Sequence, residues 1–168
     1  MIDQIKEVIQ QFTTQEVGSN EQIPNDLAGK VASETGSSFI DGIKSAVSGG
    51  NLGDLTNLFS NTDANSLTSN PVVKNITESL GTKLNSNVGL DASAAGGFAS
   101  TIVPKVITLI SEKVKSGDFN ISEIFASLTG GDASAALDQN GDGKLGLDDA
   151  MSALKDGKLG DTLGNLFK

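Results

Sequence analysis

Apolar residues recur at intervals of three and four along most of this 168-residue chain, which is the spacing of one helix face. The first such run comprises Ile2, Ile5, Val8, Ile9 and Phe12. No stretch alternates apolar and polar residues between turn signals, as a half-buried strand would. The sequence therefore predicts an all-α fold, a compact multi-helix domain of short helices.

The N-terminal third is predicted to contain two helices joined by a linker. An amphipathic helix is expected over residues 1–17 and a linker over 18–24. Asn25 or Asp26 is expected to cap the second helix, because short polar side chains accept hydrogen bonds from free N–H groups at a helix start. Gly49 and the glycine after it end that helix.

The middle of the chain carries further helix signals. A short apolar run comprises Leu52, Leu55, Leu58 and Phe59. The Asn/Ser/Thr-rich stretch 60–70 is predicted to be a loop or a single turn. Asn70 then stands before Pro71, the order of a cap residue followed by proline at the first helical position.

The most apolar segment is expected to form a central buried helix that opens at Asp91. Pro104 is expected either to kink this helix or to begin a new one. The Gly96-Gly97 pair is interpreted as a place of close helix packing. The apolar stretch 102–110 is interpreted as too short to cross a bilayer.

Three segments share one order of residues. Residues 49–59 read GGNLGDLTNLF, residues 117–128 read GDFNISEIFASL, and residues 156–167 read DGKLGDTLGNLF. Each has a glycine turn, an apolar anchor, a polar cap candidate and an apolar pair at its end. Their spacing is irregular, so we interpret them as one helix connection used repeatedly and not as a solenoid repeat.

Composition excludes several functional classes. The chain has 12 Lys, 21 Asp and Glu, a net charge of −9, and no Arg, His, Cys, Trp or Tyr. Imidazole and thiolate chemistry is therefore absent, and the charge opposes binding to nucleic acid or to anionic membranes. We expect a non-enzymatic protein; an enzyme using carboxylates alone would need an acid-lined pocket. Residues 1–12 lack a signal-peptide pattern, which favours a cytoplasmic location.

One motif carries specific chemistry. Residues 138–149 read D-Q-N-G-D-G-K-L-G-L-D-D and satisfy a twelve-residue loop pattern in which oxygen ligands stand at fixed positions. Ca²⁺ prefers six to eight such oxygens, and a glycine at the sixth position allows the sharp backbone turn. The predicted ligands are Asp138, Asn140, Asp142, the backbone carbonyl of Lys144, and Asp149.

This segment resembles the EF-hand calcium-binding family in its loop and in the predicted exiting helix. It has Asp149 where that family more often has Glu, which predicts weaker affinity and makes Mg²⁺ a competitor. The partial matches beginning at Asp118 and near Asp156 lack essential ligands, so a single loop is expected. Residues 132–168 are too few to form their own core, and we expect this segment to pack on the main domain.

The stretch from about residue 25 to residue 131 resembles a YidB-like family of small bacterial helical proteins of unknown function, and the predicted helical domain covers residues 1–131. The segments that carry the resemblance are SNPVVKNITESLGTKL, GLDASAAGGFASTIVPKVITLISEKV and FNISEIFASLTGG. The resemblance implies an all-α fold and a bacterial intracellular origin, and it supplies no catalytic residues.

Two functions are consistent with these observations. The first is a calcium-binding, non-enzymatic protein in which the ion orders the C-terminal segment for a structural, buffering or partner-binding role. The alternative is a helical protein-interaction module with a vestigial metal loop. Either function is compatible with binding to a protein partner or with self-association.

Overall fold

The computed structural model of the chain describes residues 2–60 and 63–120, together with Glu123, Ile124 and Ser127. This part forms six α-helices and no strand, so the all-α prediction is confirmed for it. The helices are α1 (Ile2–Gly18), α2 (Ala28–Ser48), α3 (Leu52–Ser60), α4 (Ala64–Ser69), α5 (Pro71–Lys83) and α6 (Ala92–Lys115). A 3-10 turn at Asn25–Leu27 precedes α2, and a π-helical turn at Leu84–Val88 follows α5.

The first two helices pack against each other as the periodicity predicts. Ile5, Ile9 and Val17 of α1 are at most 1% exposed. A Cβ added to Gly36 of α2 would lie 3.1 Å from Lys6 Cγ, so the helices approach closely there. The glycine allows this approach because it has no side chain of its own to separate the two backbones.

The predicted cap of α2 is wrong. Asn25 and Asp26 lie in the 3-10 turn, and Leu27, the residue that caps α2, makes no side-chain hydrogen bond at this helix start. The preceding Pro24 has extended backbone angles, and its carbonyl accepts a hydrogen bond from Leu27 N at 3.0 Å. The backbone turn therefore takes the place that a capping side chain would have occupied.

Two other caps are confirmed. Asn70 Oδ1 accepts a hydrogen bond from Val72 N at 2.8 Å, with Pro71 at the first position of α5. Asp91 Oδ1 accepts from the backbone N–H groups of Ser93 and Ala94, each at 3.0 Å, at the start of α6.

The stretch predicted to be a loop or a single turn contains the short helix α4. Asp63 Oδ1 accepts from Asn65 N at 3.1 Å and from Ser66 N at 3.0 Å, which satisfies two free donors at the helix start. Leu67 is 2% exposed and holds α4 against the core. A local cap and one apolar anchor are therefore enough to order this polar stretch.

The central position of α6 is confirmed. It packs against α1, α3, α4 and α5, while α5 also packs against α2. Its fully buried side chains include Ile102, Ile107 and Ile110. The helix runs unbroken through Pro104, so the proline does not begin a new helix.

Glycines set the closest approaches around α5. A Cβ at Gly42 of α2 would lie 2.9 Å from Ile76 Cδ1 and still closer to Ile76 Cγ1. A Cβ at Gly81 would lie 3.7 Å from Gly96 Cα, so the predicted close packing is confirmed at Gly96. At Gly97 it is wrong, because an added Cβ there would meet nothing within 4 Å.

By length and composition, α6 is the one described helix that could span a membrane, with 24 residues and a mean hydropathy of 1.4 in its most apolar window. The apolar stretch 102–110 is only part of this helix, which extends beyond it at both ends. Half of that window is buried inside the fold. A central position in the core explains the apolar composition without a bilayer.

Candidate metal loop and surface grooves

The predicted calcium ligands fall outside the described residues. This applies to Asp138, Asn140, Asp142, Lys144 and Asp149, and equally to the predicted boundary after residue 131. The loop therefore stands as a sequence prediction, and the described helices define the body to which it is attached.

The partial loop match that begins at Asp118 has a structural role. Lys113 Nζ donates a hydrogen bond to Asp118 Oδ2 at 2.9 Å, just past the end of α6. This hydrogen bond, with a second from Ser116, holds the pKa of the fully exposed Asp118 carboxyl below its ordinary value of 3.8. Phe119 N donates to the Lys113 carbonyl at 3.1 Å, so the segment closes the helix end.

Acidic side chains in the described part are dispersed. No group of three or more Asp or Glu residues that could hold a metal ion occurs among the residues the structure describes. The ion pairs there are Asp41–Lys83, Glu16–Lys105 and Asp118–Lys113. All three are solvent-accessible, and ion pairs exposed in this way contribute little to stability because water screens them.

A surface groove with a volume of about 450 Å³ lies between α1 and α6, with α4 beside it. We call it the α1/α6 groove. Its apolar lining residues are Phe12, Leu67, Pro104 and Leu109. Its polar lining residues are Glu16, Lys105, Thr108 and Glu112. Apolar side chains between charged ones are typical of a surface that receives another apolar segment.

The sequence reasoning above missed this groove. Phe12, Pro104 and Leu109 are each half-buried, although a core assignment would bury them fully. One signal was present in the sequence, because a helix that is apolar nearly all round, such as α6, needs neighbours on every side.

The second groove, of about 380 Å³, lies between α3, α4 and the start of α5. Its polar groups already take part in the fold. Asn70 caps α5 and also donates from Nδ2 to the Asp54 carbonyl at 3.0 Å, which ties α3 to α5. The polar groups of this groove therefore cap α5 and connect it to α3.

Three hydroxyls are buried in the helix packing without a hydrogen-bond partner among the described residues. They are Thr13 Oγ1, Ser38 Oγ and Ser111 Oγ, on α1, α2 and α6. Each residue is at most 1% exposed. A buried hydroxyl that makes no hydrogen bond costs about 1–3 kcal/mol, so these positions work against stability.

Comparisons of the chain with protein-family models, with curated protein sequences and with solved structures find no match. The YidB-like and EF-hand resemblances therefore rest on the residues quoted above.

Proposed function

We propose that this chain is a calcium-binding, non-enzymatic helical protein whose metal site is the loop at residues 138–149. The observation that carries the proposal is the agreement of that loop with the calcium-loop pattern at Asp138, Asn140, Asp142 and Gly143, with Asp149 in place of the more usual Glu at the last position. Asp138, Asn140 and Asp142 would supply side-chain oxygens, Lys144 its backbone carbonyl, and Asp149 the closing carboxylate.

The dispersed acids of the helical body support a single site. Within the described residues, no group of three or more carboxylates gathers that could hold a metal ion. We therefore expect one Ca²⁺ per chain, with Mg²⁺ as a weaker competitor.

The ion would order the C-terminal segment on a body that is already folded. The loop contains four aspartates, which repel one another without a cation. Calcium would remove that repulsion and stabilise the segment, by about 2.7 kcal/mol at a free concentration about 100 times the Kd. The ordered segment would serve a structural, buffering or partner-binding role in the cytoplasm of a bacterial cell.

The alternative is a helical protein-interaction module in which the loop is vestigial. The α1/α6 groove favours it, since the half-buried apolar side chains Phe12, Pro104 and Leu109 offer a docking surface whether or not calcium binds. Self-association that persists in EDTA would support this alternative.

Isothermal titration of chelator-stripped full-length protein tests the proposal. Ca²⁺ is titrated first and Mg²⁺ second, into the wild type, Asp138→Ala and Asp156→Ala. Asp156→Ala is the matched control, because it removes one carboxylate from the same segment outside the loop.

We expect one-to-one calcium binding in the wild type and in Asp156→Ala, and none in Asp138→Ala. The absence of heat up to millimolar calcium in the wild type would contradict the proposal and leave the interaction module.

A further inference from the structure

Two segments of the chain have nearly the same sequence. Residues 52–59 read LGDLTNLF and residues 159–167 read LGDTLGNLF, so the second differs by one inserted threonine and one Thr-to-Gly change. Leu163, Leu166 and Phe167 thereby correspond to Leu55, Leu58 and Phe59 of the first segment.

The first segment shows how such a sequence packs. It forms most of α3, which lies against α6, α2 and α5. Leu55, Leu58 and Phe59 are at most 6% exposed, whereas Asn57 on the opposite face is exposed. The motif thus places its leucines and phenylalanine in the core and its asparagine in solvent.

Another side of α6 carries apolar residues that the described helices leave partly uncovered. Pro104 and Leu109 line the α1/α6 groove with Phe12 of α1, and no residue of α3 lines it. Lys105 pairs with Glu16, while Glu112 has no ion pair within the described part of the chain. The groove therefore combines four apolar side chains with a net charge of −1.

We infer that residues 159–167 of the same chain dock in the α1/α6 groove, with Leu163, Leu166 and Phe167 packed on α6 as their counterparts in α3 are. Residues 159–167 contain one aspartate, Asp161, and no lysine, while Lys155, Lys158 and Lys168 lie outside the docked stretch. The apolar side chains of the segment, and not its charge, therefore support this occupant.

The chain is long enough for this docking. Between Ser127, which the structure describes, and residue 159 lie 32 residue steps, which can span roughly 100 Å when extended. The 24 residues of α6 extend only about 36 Å. Covalent attachment also gives the segment a high effective concentration at the groove, so an intramolecular contact is favoured over a second copy.

This inference names the surface of the helical body that the C-terminal segment contacts. It rests on the proposed function in one respect, namely that calcium would order the loop that connects the body to residues 159–167. The docking itself depends on apolar side chains and on the length of the chain, and not on calcium. Its test is therefore made both in calcium and in EDTA, and its result is separate from that of the calcium titration.

Disulfide cross-linking tests the inference directly, because the natural chain has no cysteine. The full-length double variant Leu109→Cys/Leu163→Cys is oxidised mildly and compared with Ser79→Cys/Leu163→Cys. Ser79 is exposed on α5 and does not line the groove. We expect an intramolecular disulfide to form at least about tenfold faster with Leu109→Cys, since the two Cα atoms must come within about 7 Å.

A fluorescence readout covers the case in which the cysteine variants misfold. Phe12→Trp places the chain's sole tryptophan in the groove. Adding Phe167→Asp should shift its emission to longer wavelength as the groove opens to water. The matched change Asn165→Asp, on the face equivalent to exposed Asn57, should leave the emission unchanged.

Two results would overturn the inference. One is equal cross-linking at both positions, in calcium and in EDTA. The other is cross-linking only between chains, which would assign the groove to a second copy. Intramolecular cross-linking at Leu109→Cys in a protein that shows no calcium heat would uphold the docking and contradict the metal site.

Discussion

The residues of the helical body and those of the C-terminal segment are patterned for different purposes, helix packing in the first and cation binding in the second. In the body, apolar spacing and caps such as Asn70 and Asp91 specify packing, and the described residues contain no cluster of acids. In residues 138–149, acids and glycines are spaced for a cation and little apolar surface is present. Under the proposed function, the body would fold without calcium and calcium would act on the C-terminal segment. Each change below in the body should therefore have the same effect in calcium as in EDTA.

The largest effect is expected at Gly42, where α2 meets α5. Gly42→Ala should lower the free energy of unfolding by about 1–3 kcal/mol, because the new Cβ would overlap the buried side chain of Ile76. Gly97→Ala is the control on α6; its Cβ meets nothing, and it should raise the free energy by about 0.5–1 kcal/mol. Urea denaturation followed by circular dichroism measures both. Equal effects would contradict the close approach of α2 and α5.

Removing a buried hydroxyl should stabilise the body. Thr13→Val keeps the shape of the side chain and replaces the unpartnered Oγ1 with a methyl group. The free energy of unfolding should rise by about 1 kcal/mol. Thr14→Val serves as the comparison, because the Thr14 hydroxyl is exposed and donates to the Gln10 carbonyl at 2.8 Å. A loss of stability in Thr13→Val would show that the Thr13 hydroxyl is hydrogen-bonded.

The two caps predicted from sequence should differ in energy. Asp91→Ala removes the acceptor for two N–H groups of α6 and should cost about 1 kcal/mol. Asp26→Ala should change stability by less than about 0.5 kcal/mol, since Asp26 is exposed in the 3-10 turn. Thermal unfolding of the two variants side by side measures the difference. A larger loss of stability in Asp26→Ala than in Asp91→Ala would support the cap at Asp26 that the sequence predicts.

The smallest effect concerns Asp118 at the end of α6. Because its pKa is lowered in the folded protein, its contribution to stability is present above the ordinary pKa of 3.8 and is lost as the pH falls through the folded value. Lys113→Met should raise the pKa of Asp118 towards 3.8. Titration of the Asp118 carboxyl carbon by NMR measures it. Lys115→Met removes an equal charge and should change that pKa less.

Features that depend on neighbouring residues in sequence were predicted well. The ends of α1, the start of α5 and the start of α6 follow from apolar spacing and from Asn70 and Asp91, because a cap interacts with the N–H groups two or three residues ahead. Asn25 and Asp26 were assigned wrongly since the backbone after Pro24 closes its own turn.

Features that depend on distant residues could not be predicted. The residues around Gly42 do not distinguish it from other helical glycines, because its close contact with Ile76 depends on how α5 packs against α2. The groove beside Leu109 depends on how α1 and α4 lie against α6. Whether Pro104 would end a helix was left open by the sequence, and α6 continues through it. The calcium-loop prediction is the opposite case, because it depends only on twelve consecutive residues.

An NMR titration of isotope-labelled full-length protein with Ca²⁺ tests the central claim most directly, because it reports on the body and the segment together. The account predicts saturation at one ion per chain, with the changes concentrated in residues 138–149 and their surroundings and absent in Asp138→Ala. Backbone signals of α2, α3 and α5 should stay in place. Unchanged spectra up to millimolar calcium, or changes spread through those helices and retained in Asp138→Ala, would contradict it.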